Sequence, residues 1–389
     1  MEPDPGIPDD RSPLERFRKS PKKPLSVTDL VSPAWCELQY WYTLTKHGRK
    51  KRTPAMKQGS KVHKALEEQV HQIVPVDVQT REDGWGLRIW NIIQGLRTLR
   101  VTGMTRELEL WGTIDGQVVN GVIDELSYTC PDKELEEEID KTSNRGGGKA
   151  DVPPNQTPIT NFLKSNGASY PERKVYIIDV KTRMSKTLPQ GSSLRPTQMQ
   201  LMIYRKLLVD LATDAVSADT IFSRYRLDAT SPFSDAFIAE VGALDFNFRG
   251  DSGEATYAPF GTQQDSVSEL LAHNGLTRLW SLMTREFAKT IPTAAAVGDV
   301  LKAEFRSQRD GAILGSKAFA HDEAALRAYV EDEMRWWRGE REARGVDIEE
   351  AFKCRICEFA DECTWRRAKI DQATESFRAR ASARKKATV

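Results

Sequence analysis

Long apolar runs, an apolar N-terminal signal and an excess of one charge are all missing from this 389-residue sequence. No stretch approaches the roughly 18–20 apolar residues that cross a bilayer, so we expect no membrane-spanning helix. The opening residues are acidic and rich in proline, which is not typical of a secretory signal or a mitochondrial presequence. Because 57 Lys and Arg residues balance 56 Asp and Glu residues, the net charge of +1 gives no overall indication of a nucleic-acid partner.

Cysteine is scarce, and its five copies are unevenly placed. Five cysteines are too few for a secreted disulfide scaffold, and an odd number cannot all pair within the chain. We therefore expect an intracellular, reducing compartment. Cys354, Cys357 and Cys363 lie close together, with the Cys-x2-Cys spacing that directs two thiolates at one metal centre. A fourth thiolate would come from Cys36 or Cys130. Cys36 is the better candidate, because it is predicted inside a helix that begins at Ser32-Pro33, whereas Cys130 begins a segment predicted to be disordered.

Composition divides the chain into a domain with irregular segments around and within it. Residues 1–24 are rich in Pro, Asp and Lys and are predicted to be a disordered leader. Residues 25–368 form the main domain, and residues 369–389 form a basic tail. Within the domain, residues 130–172 contain an acidic run, three successive glycines and a Pro-Pro pair, which indicate a disordered insertion.

Hydrophobic periodicity predicts an α/β fold with a central mixed sheet flanked by helices. Apolar residues at helical spacing predict helices over 54–70, 85–99, 196–210, 267–288 and 322–342. Short apolar runs with alternation predict strands over 107–111, 117–126, 174–180 and 220–227.

Asp124, Asp179 and Lys181 could form a site for phosphate chemistry. Alternation along a strand places Asp179 and Lys181 on one face of the sheet, where an Asp from a neighbouring strand can meet them. Two carboxylates suit a hard divalent cation, and a lysine can stabilise developing charge. An isolated Asp-x-Lys is far more often an ordinary surface strand.

Two further pairs of residues are uninformative when each is taken alone, but their order along the chain, one before the strands and one after, adds information. Gly59 and His63 are one turn apart on a predicted helix upstream of the strands. Gln200 and Tyr204 lie four residues apart on one face of a predicted helix downstream.

The order of these motifs resembles the RecB-like branch of the PD-(D/E)xK nucleases, and within it the exonuclease V family. Gly-x-x-x-His, Gly-x-x-Asp, Asp-x-Lys and Gln-x-x-x-Tyr are bracketed by one cysteine before and three after. The resemblance implies a PD-(D/E)xK core closed by a four-iron, four-sulfur cluster that joins the N- and C-terminal segments. It implies that the cluster is bound by Cys36, Cys354, Cys357 and Cys363. It also implies Mg²⁺ or Mn²⁺ bound by His63, Asp124 and Asp179, with Asp124, Asp179, Lys181, Gln200 and Tyr204 as catalytic residues.

The resemblance further implies a metal-dependent exonuclease that hydrolyses single-stranded DNA in DNA repair or genome maintenance. We expect a monomer in the nucleus or the mitochondrion. Gly148-Lys149 is followed by Ala150, so the sequence has no Gly-x4-Gly-Lys-Ser/Thr phosphate loop. A helicase or a single-strand-binding protein is therefore expected to be a separate partner.

The near-zero net charge hides two basic stretches that flank the cysteines. Residues 43–64 hold eight Lys or Arg and no acid, and residues 366–386 hold eight against two acids. Such runs are usually solvated faces, but here they could line a path for a DNA strand.

The alternative reading is a non-catalytic nucleic-acid-binding protein in which the four cysteines hold zinc. An iron–sulfur chromophore would exclude this alternative.

Overall fold

A six-stranded mixed sheet lies at the centre of the protein. This computed structural model describes residues 9–50, 53–68, 70, 76–146, 173–241 and 266–387. The strands are β1 (Leu25–Ser26), β2 (Met104–Ile114), β3 (Gln117–Ser127), β4 (Tyr176–Arg183), β5 (Val300–Ser307) and β6 (Ile313–Ala320). They follow the order β1-β3-β4-β5-β6, and β2 pairs with β3. The β1–β3 and β4–β5 pairs are parallel and the others antiparallel, so the predicted α/β class with a mixed sheet is confirmed.

Strand β3 is paired differently along its two edges. One edge pairs with β2 along nearly its whole length. The other edge pairs with β1 at Val119 and Asn120 and with β4 at residues 125–127. Between these two ladders, residues 121–124 have no strand partner on this edge within the described part of the chain. The strands β3 and β4 therefore diverge at this point, and we call the opening the β3–β4 fork.

A tight turn fixes the register of the β2–β3 hairpin. Its two central residues, Asp115 and Gly116, have φ values of 50° and 70°. Two positive φ values are the geometry of a type I′ turn, whose twist matches that of the flanking strands and which favours the Asp-Gly dipeptide. The turn places Ile114 opposite Gln117, and every later pair of the hairpin follows from that register.

Among the described residues, helices flank the sheet or extend from it. They are α1 (Pro13–Phe17), α2 (Val27–Val31), α3 (Glu37–His47), α4 (Pro54–Glu67), α5 (Arg81–Thr102), α6 (Lys133–Gly146), α7 (Arg195–Ala212), α8 (Ala218–Tyr225), α9 (Ser266–Ala272), α10 (Leu276–Thr290), α11 (Glu323–Trp337) and α12 (Thr364–Ala387). Residues 235–241 are also helical, and a 3-10 helix covers Ile348–Ile356. No helix in the described ranges is long and apolar enough to cross a membrane.

The core forms where α5 and α7 pack on β2 and α10 packs on α5. Three indole rings lie at its centre: the Trp85 and Trp111 rings are 5.0 Å apart, and the Trp111 and Trp280 rings 6.0 Å. Helix α5 begins at a capping box between Thr80 and Asp83. Such a cap satisfies backbone N–H groups that the first turn leaves free. The aromatic layer thus packs against the hairpin that carries the candidate site.

The sequence-based predictions for two segments, 220–227 and 267–288, were wrong. The strand predicted over 220–227 is helix α8, which begins where the Ser217 side chain accepts a hydrogen bond from the Thr220 N–H. Its adjacent buried residues, Ile221 and Phe222, fit one helix face as well as a strand. The single helix predicted over 267–288 is two helices, α9 and α10, separated at Gly275, whose φ of 120° an L-residue rarely adopts.

The segments predicted to be disordered contain helices. Within the predicted leader, 1–24, residues 12–17 form a capping box and α1, and Arg18 forms an ion pair with the buried Asp29. Residues 1–8 lie outside the described residues. The predicted insertion, 130–172, opens with α6, and residues 147–172 lie outside the described residues. The predicted basic tail, 369–389, continues α12 as far as residue 387.

Cys36 was predicted inside a helix, but it is the residue that precedes one. It is the N-cap of α3, with an extended backbone (φ −167°). The turn at Ser32 and Ala34 ends α2 instead of starting a new helix. Cys36 therefore lies directly before the first residue of α3 and not within the helix.

Candidate active site

The β3–β4 fork contains two of the predicted carboxylates. Asp124 lies at the end of the unpaired stretch of β3, and its Oδ2 accepts a hydrogen bond of 2.6 Å from the Val180 N–H of β4. The carboxylate therefore takes the place of the backbone acceptor that the diverging strand no longer offers. Asp179, one residue earlier on β4, is 1% exposed. The pairing between β3 and β4 therefore ends at Glu125 and Ile178, directly beside Asp124 and Asp179.

Asp179 and Lys181 lie on the same face of β4, as strand alternation predicts. Lys181 Nζ is 2.8 Å from each carboxylate oxygen of Asp179 and donates a hydrogen bond to Oδ1. Apart from this ion pair with Lys181, the buried Oδ2 has no hydrogen-bond partner in the described ranges. It therefore keeps acceptor capacity that a cation or a water molecule can use.

Helix α4 brings His63 over the fork. Its Nδ1 lies 3.4 Å from Glu107 Oε1 and 3.6 Å from Asp124 Oδ1. One ligand atom from each of His63, Glu107 and Asp124 can be chosen so that all lie within 4.8 Å of one another. Imidazole with carboxylate oxygens is a donor set that suits Mn²⁺ and Mg²⁺. These three residues fit a divalent cation, and Asp179 lies beside them as a further acceptor.

Glu107 was not predicted as a site residue. It lies on β2 with a left-handed backbone (φ 52°), unusual for a non-glycine residue in a strand. The ladder skips it, although Arg106 pairs with Glu125 and Leu108 with Ile123 on either side. The sequence did contain a signal. An Asp-Gly turn at 115–116 fixes the hairpin register, and counting seven residues outward from the turn on each strand places Glu107 opposite Asp124.

The acidic cluster shifts the pKa values of its members. Burial by itself would lower the pKa of His63, but the hydrogen bond with Glu107 and the charges of Asp124 and Glu107 outweigh it, so the pKa is raised. Burial and the charge of Asp179 raise the pKa of Asp124 to about 7, against the opposing effect of Lys181 and His63. Without a cation, the site therefore holds protons near neutral pH.

Lys181 keeps its positive charge in spite of its surroundings. Burial would lower its pKa, but the charges of Asp179 and Asp124 raise it above the usual value for lysine. A fixed ammonium group therefore stands beside the carboxylates over the whole physiological range. This is the arrangement required to stabilise negative charge on a phosphate oxygen.

Gln200 and Tyr204 lie next to this cluster on α7. Gln200 Nε2 donates a hydrogen bond of 3.1 Å to Tyr204 Oη. Tyr204 is 6% exposed, and burial together with the charges of Asp179 and Asp124 raises the pKa of its phenol. The phenol therefore remains neutral and can donate a hydrogen bond. The structure thus brings all the residues predicted for the catalytic site to one region.

The glycines of two motifs have a steric reason. A Cβ on Gly59 would lie 2.7 Å from Thr182 Oγ1, so glycine lets α4 approach β4 and carries His63, one turn later, to the fork. A Cβ on Gly121 would lie 2.6 Å from the Tyr204 ring. Each glycine therefore permits a close contact that places a side chain of the site.

Four cysteines from distant parts of the sequence line one pocket. Cys36 at the start of α3 meets Cys354, Cys357 and Cys363, together with Trp35, Tyr42 and Trp365. Burial raises the pKa of the Cys36 thiol to about 11, and the neighbouring Cys357, Cys363 and Cys354 add to the effect. Four sulfur donors around one pocket fit a metal cluster or a zinc ion. Cys130 lies elsewhere, beside Glu136 and Tyr176.

Comparison with known proteins gives one family. A family model described as "Exonuclease V - a 5' deoxyribonuclease" matches residues 12–366. Exonuclease V of Danio rerio is 26% identical over 359 residues, covering 92% of this chain and 73% of the relative. "Exonuclease V, mitochondrial" of Eremothecium gossypii is 26% identical over 419 aligned positions (89% of this chain, 77% of the relative). The protein of the same name from Candida glabrata is 23% identical over 425 (90% and 81%).

The family match covers both groups of residues. It begins before α1 and ends after the last cysteine, so it includes the fork and the cysteine pocket. The predicted resemblance is therefore confirmed. The chain belongs to the exonuclease V family and is a nuclease with DNA as its substrate.

Proposed function

We propose that the protein is a metal-dependent exonuclease that digests single-stranded DNA from a 5′ end. The observation that carries the proposal is the group formed by His63, Glu107 and Asp124 beside the Asp179–Lys181 pair. The printed description of the family as a 5′ deoxyribonuclease supports the polarity. The fork would then be the active site of a PD-(D/E)xK core, with Asp179-x-Lys181 as its signature.

The residues of the fork divide the chemistry among them. A bound Mg²⁺ or Mn²⁺ would lower the pKa of the attacking water and neutralise charge on the phosphate. His63, Glu107 and Asp124 would hold the cation, and Asp179 would add an acceptor next to them. Lys181 stabilises the negative charge that grows on the phosphate oxygens, and Asp179 keeps the ammonium group charged and oriented. Gln200 and Tyr204 hold the floor of the site in place through their hydrogen bond.

We propose that a four-iron, four-sulfur cluster occupies the cysteine pocket. The Cys36 thiol meets three thiols from a segment that begins 318 positions later (354 − 36), at Cys354. The remaining cysteine, Cys130, is elsewhere. Loop-closure entropy rises only logarithmically with length, so joining these distant segments costs a few kcal/mol, which metal–thiolate bonds exceed. The cluster would tie the start of α3 to the segment before α12.

A lysine pair tests the catalytic assignment. Lys181→Ala should lower cleavage of single-stranded DNA at least about 100-fold, the loss typical of removing one donor to developing charge. Lys302→Ala is the matched control, because Lys302 lies opposite Ile178 on the neighbouring strand, with its side chain on the other sheet face. Control activity should match the wild type. Lys181→Ala protein that cleaves at the wild-type rate would refute the assignment.

End-blocked substrates test polarity and substrate class in the same assay. Single-stranded oligonucleotides labelled internally and blocked at one end should be digested when the 3′ end is blocked and resist when the 5′ end is blocked. Matched RNA and duplex DNA should be poor substrates. Efficient digestion from a free 3′ end, or of duplex DNA, would contradict the proposed specificity.

Cysteine variants distinguish an iron–sulfur cluster from zinc. Protein purified without oxygen should be brown, contain iron and absorb broadly in the visible range. Cys357→Ala should be colourless, with reduced stability and lost DNA binding. Cys130→Ala, whose residue is outside the pocket, should stay brown. A colourless wild type with stoichiometric zinc would favour the alternative, a zinc-containing protein, and cleavage would then decide whether it is catalytic.

We place the protein in DNA repair or genome maintenance as a monomer in the nucleus or mitochondrion. The fungal relatives with "mitochondrial" in their printed names support the second location. Without a phosphate loop of its own in the sequence, the chain would receive single strands from a helicase or a single-strand-binding protein. Fractionation of tagged protein between the two organelles would decide the location.

A further inference from the structure

Helix α12 extends away from the folded core. It starts directly after Cys363 and runs from Thr364 to Ala387, about 36 Å at 1.5 Å per residue. Every residue from 371 to 380 is exposed. A helix that is polar nearly all round and packs against little depends on its own i,i+4 side-chain pairs or on a partner for its stability. We call the part from residue 369 onward the arm.

The root of α12 is fixed to the cysteine pocket. The Thr364 N–H donates to Tyr42 Oη at 3.2 Å, and Arg366 Nη1 donates to the Ala360 carbonyl at 2.9 Å. Trp365 packs so closely on Gly345 that a Cβ there would overlap its indole. The direction of the arm is therefore set by the segment that carries Cys357 and Cys363.

The arm carries a local excess of positive charge that the average over the chain conceals. Residues 369–389 contain six Lys or Arg and two acids, whereas the whole chain has a net charge of +1. Arg378 and Arg380 form no ion pair with any residue that the structure describes. Both residues are exposed to solvent. Unpaired cations on one extended element suit a polyanion.

The apolar residues of the arm favour a nucleic acid over a protein. Ile370 and Phe377 are 51% and 74% exposed and lie seven residues apart, on one face of the helix. Two isolated side chains form too small a patch for a protein interface, which needs a buried apolar core. An exposed aromatic ring among cations suits stacking on a base of a single strand.

We propose that the arm binds the sugar–phosphate backbone of a single DNA strand outside the catalytic fork, with Arg378, Arg380 and Phe377 as its central contacts. The inference rests on the proposed function, which supplies single-stranded DNA as the ligand. The arm raises affinity for long strands without touching the reacting phosphate. Short strands that fill only the fork do not reach it.

The test reverses two charges of the arm in the full-length, iron-loaded protein. Arg378→Glu/Arg380→Glu is compared with Arg278→Glu/Arg327→Glu, which makes the same charge change at exposed positions on α10 and α11. Binding of fluorescent oligothymidine of about 30 nucleotides is measured in EDTA between about 50 and 200 mM KCl. Each lost phosphate contact on a single strand should lower the log–log salt slope by about 0.7.

The arm variant should bind at least about 5-fold more weakly at the lowest salt, with a slope reduced by about 1.4. The control should keep the wild-type affinity and slope. Phe377→Ala should weaken binding with an unchanged slope, because stacking involves no counterion release. With Mg²⁺ restored, all variants should cleave a strand of about six nucleotides at the wild-type rate.

Equal slopes for the arm variant and the wild type would overturn the proposal. Equal losses in the arm variant and the control would also overturn it, because charge anywhere on the surface would then suffice. Wild-type protein that neither binds nor cleaves single strands would refute the proposed function instead. Wild-type cleavage together with unaltered binding by the arm variant would refute the arm alone.

Discussion

At the scale of single residues, the fork concentrates acidity in a confined space. Burial and the charge of Asp179 raise the pKa of Asp124. Burial lowers the pKa of His63, but the hydrogen bond with Glu107 and the charges of Asp124 and Glu107 outweigh it, so this pKa is raised as well. The left-handed backbone of Glu107 adds strain of about 1–3 kcal/mol at the same point. Strain and clustered acidic groups both cost stability, and the proposed binding of a cation here would offset that cost.

Cation binding should therefore depend on pH. A proton on Asp124, whose pKa is about 7 without a cation, competes with the metal, so the affinity for Mn²⁺ should rise as pH increases from 6 to 8. The raised pKa of His63 acts in the same direction. Thermal unfolding with and without Mn²⁺ at each pH measures the effect, as a larger increase in Tm at pH 8.

The cation-free protein should show the opposite trend. Native Asp124 holds its proton up to about pH 7, whereas the unfolded chain releases it near pH 3.8, so the stability of the native state falls as pH rises between these values. EDTA-treated protein therefore loses this contribution between pH 4 and pH 7. An increase in Tm with Mn²⁺ that is the same at pH 6 and pH 8 would contradict the assignment of Asp124.

At the scale of elements, the position of α4 determines whether His63 reaches the fork. Gly59 lets the helix lie against Thr182 of β4, and Gln58 Nε2 donates to the Gln308 carbonyl at 3.3 Å. The helix is therefore located by the turn after β5 as well as by β4. Its role is to hold the His63 imidazole close to Glu107 of β2 and Asp124 of β3.

A methyl group at residue 59 should move this helix. Gly59→Ala places a Cβ 2.7 Å from Thr182 Oγ1, so we expect α4 to shift and cleavage to fall about 10- to 100-fold. Adding Thr182→Ala removes the clashing oxygen and should restore much of the activity. Gly84→Ala on α5 is the control, because its Cβ has nothing within 4 Å, and its activity should be unchanged. Gly59→Ala with wild-type kinetics would show that the contact is unimportant.

The elements also show how far sequence reasoning extends. Alternation predicted β2, β3 and β4, and with them the shared face of Asp179 and Lys181. The prediction missed β5, although Ala303 and Phe305 alternate there with outward charged residues. It missed β6 for a physical reason, since its residues are small or half-exposed and only pairing with β5 makes them a strand. Glu107 required the hairpin register and not any property of the residue alone.

At the scale of the whole molecule, the two ends of the chain are joined by protein contacts as well as by the cysteine pocket. Glu37 accepts two hydrogen bonds of 2.7 Å from Arg341 and one of 2.6 Å from the Arg344 N–H. The Leu38 N–H donates to the Arg344 carbonyl. These contacts lie one residue from Cys36, so they orient the start of α3 for the pocket. The sequence order predicted that the ends meet, but long-range ion pairs leave no local pattern.

Breaking this buried pair should loosen the closure. Glu37→Ala should lower the free energy of unfolding by about 3 kcal/mol, because Arg341 keeps its charge in a site where both side chains are at most 10% exposed. Lys46→Ala is the control, since it breaks the exposed Lys46–Glu362 pair between the same two parts of the chain and should cost less than about 1 kcal/mol. Urea unfolding measures both. Equal small losses would assign the closure to the cysteine pocket alone.

The double role of Asp124 bears on how a complex with DNA can be captured. One oxygen accepts the Val180 N–H and so closes the fork, while the other faces His63. Truncation to alanine would leave the Val180 N–H without its acceptor and let the strands relax, so a trapped strand would be seen in a distorted site. Asp124→Asn retains an acceptor for that N–H while removing the charge. It is therefore the variant of choice for crystals or cryo-EM grids with an uncleaved substrate.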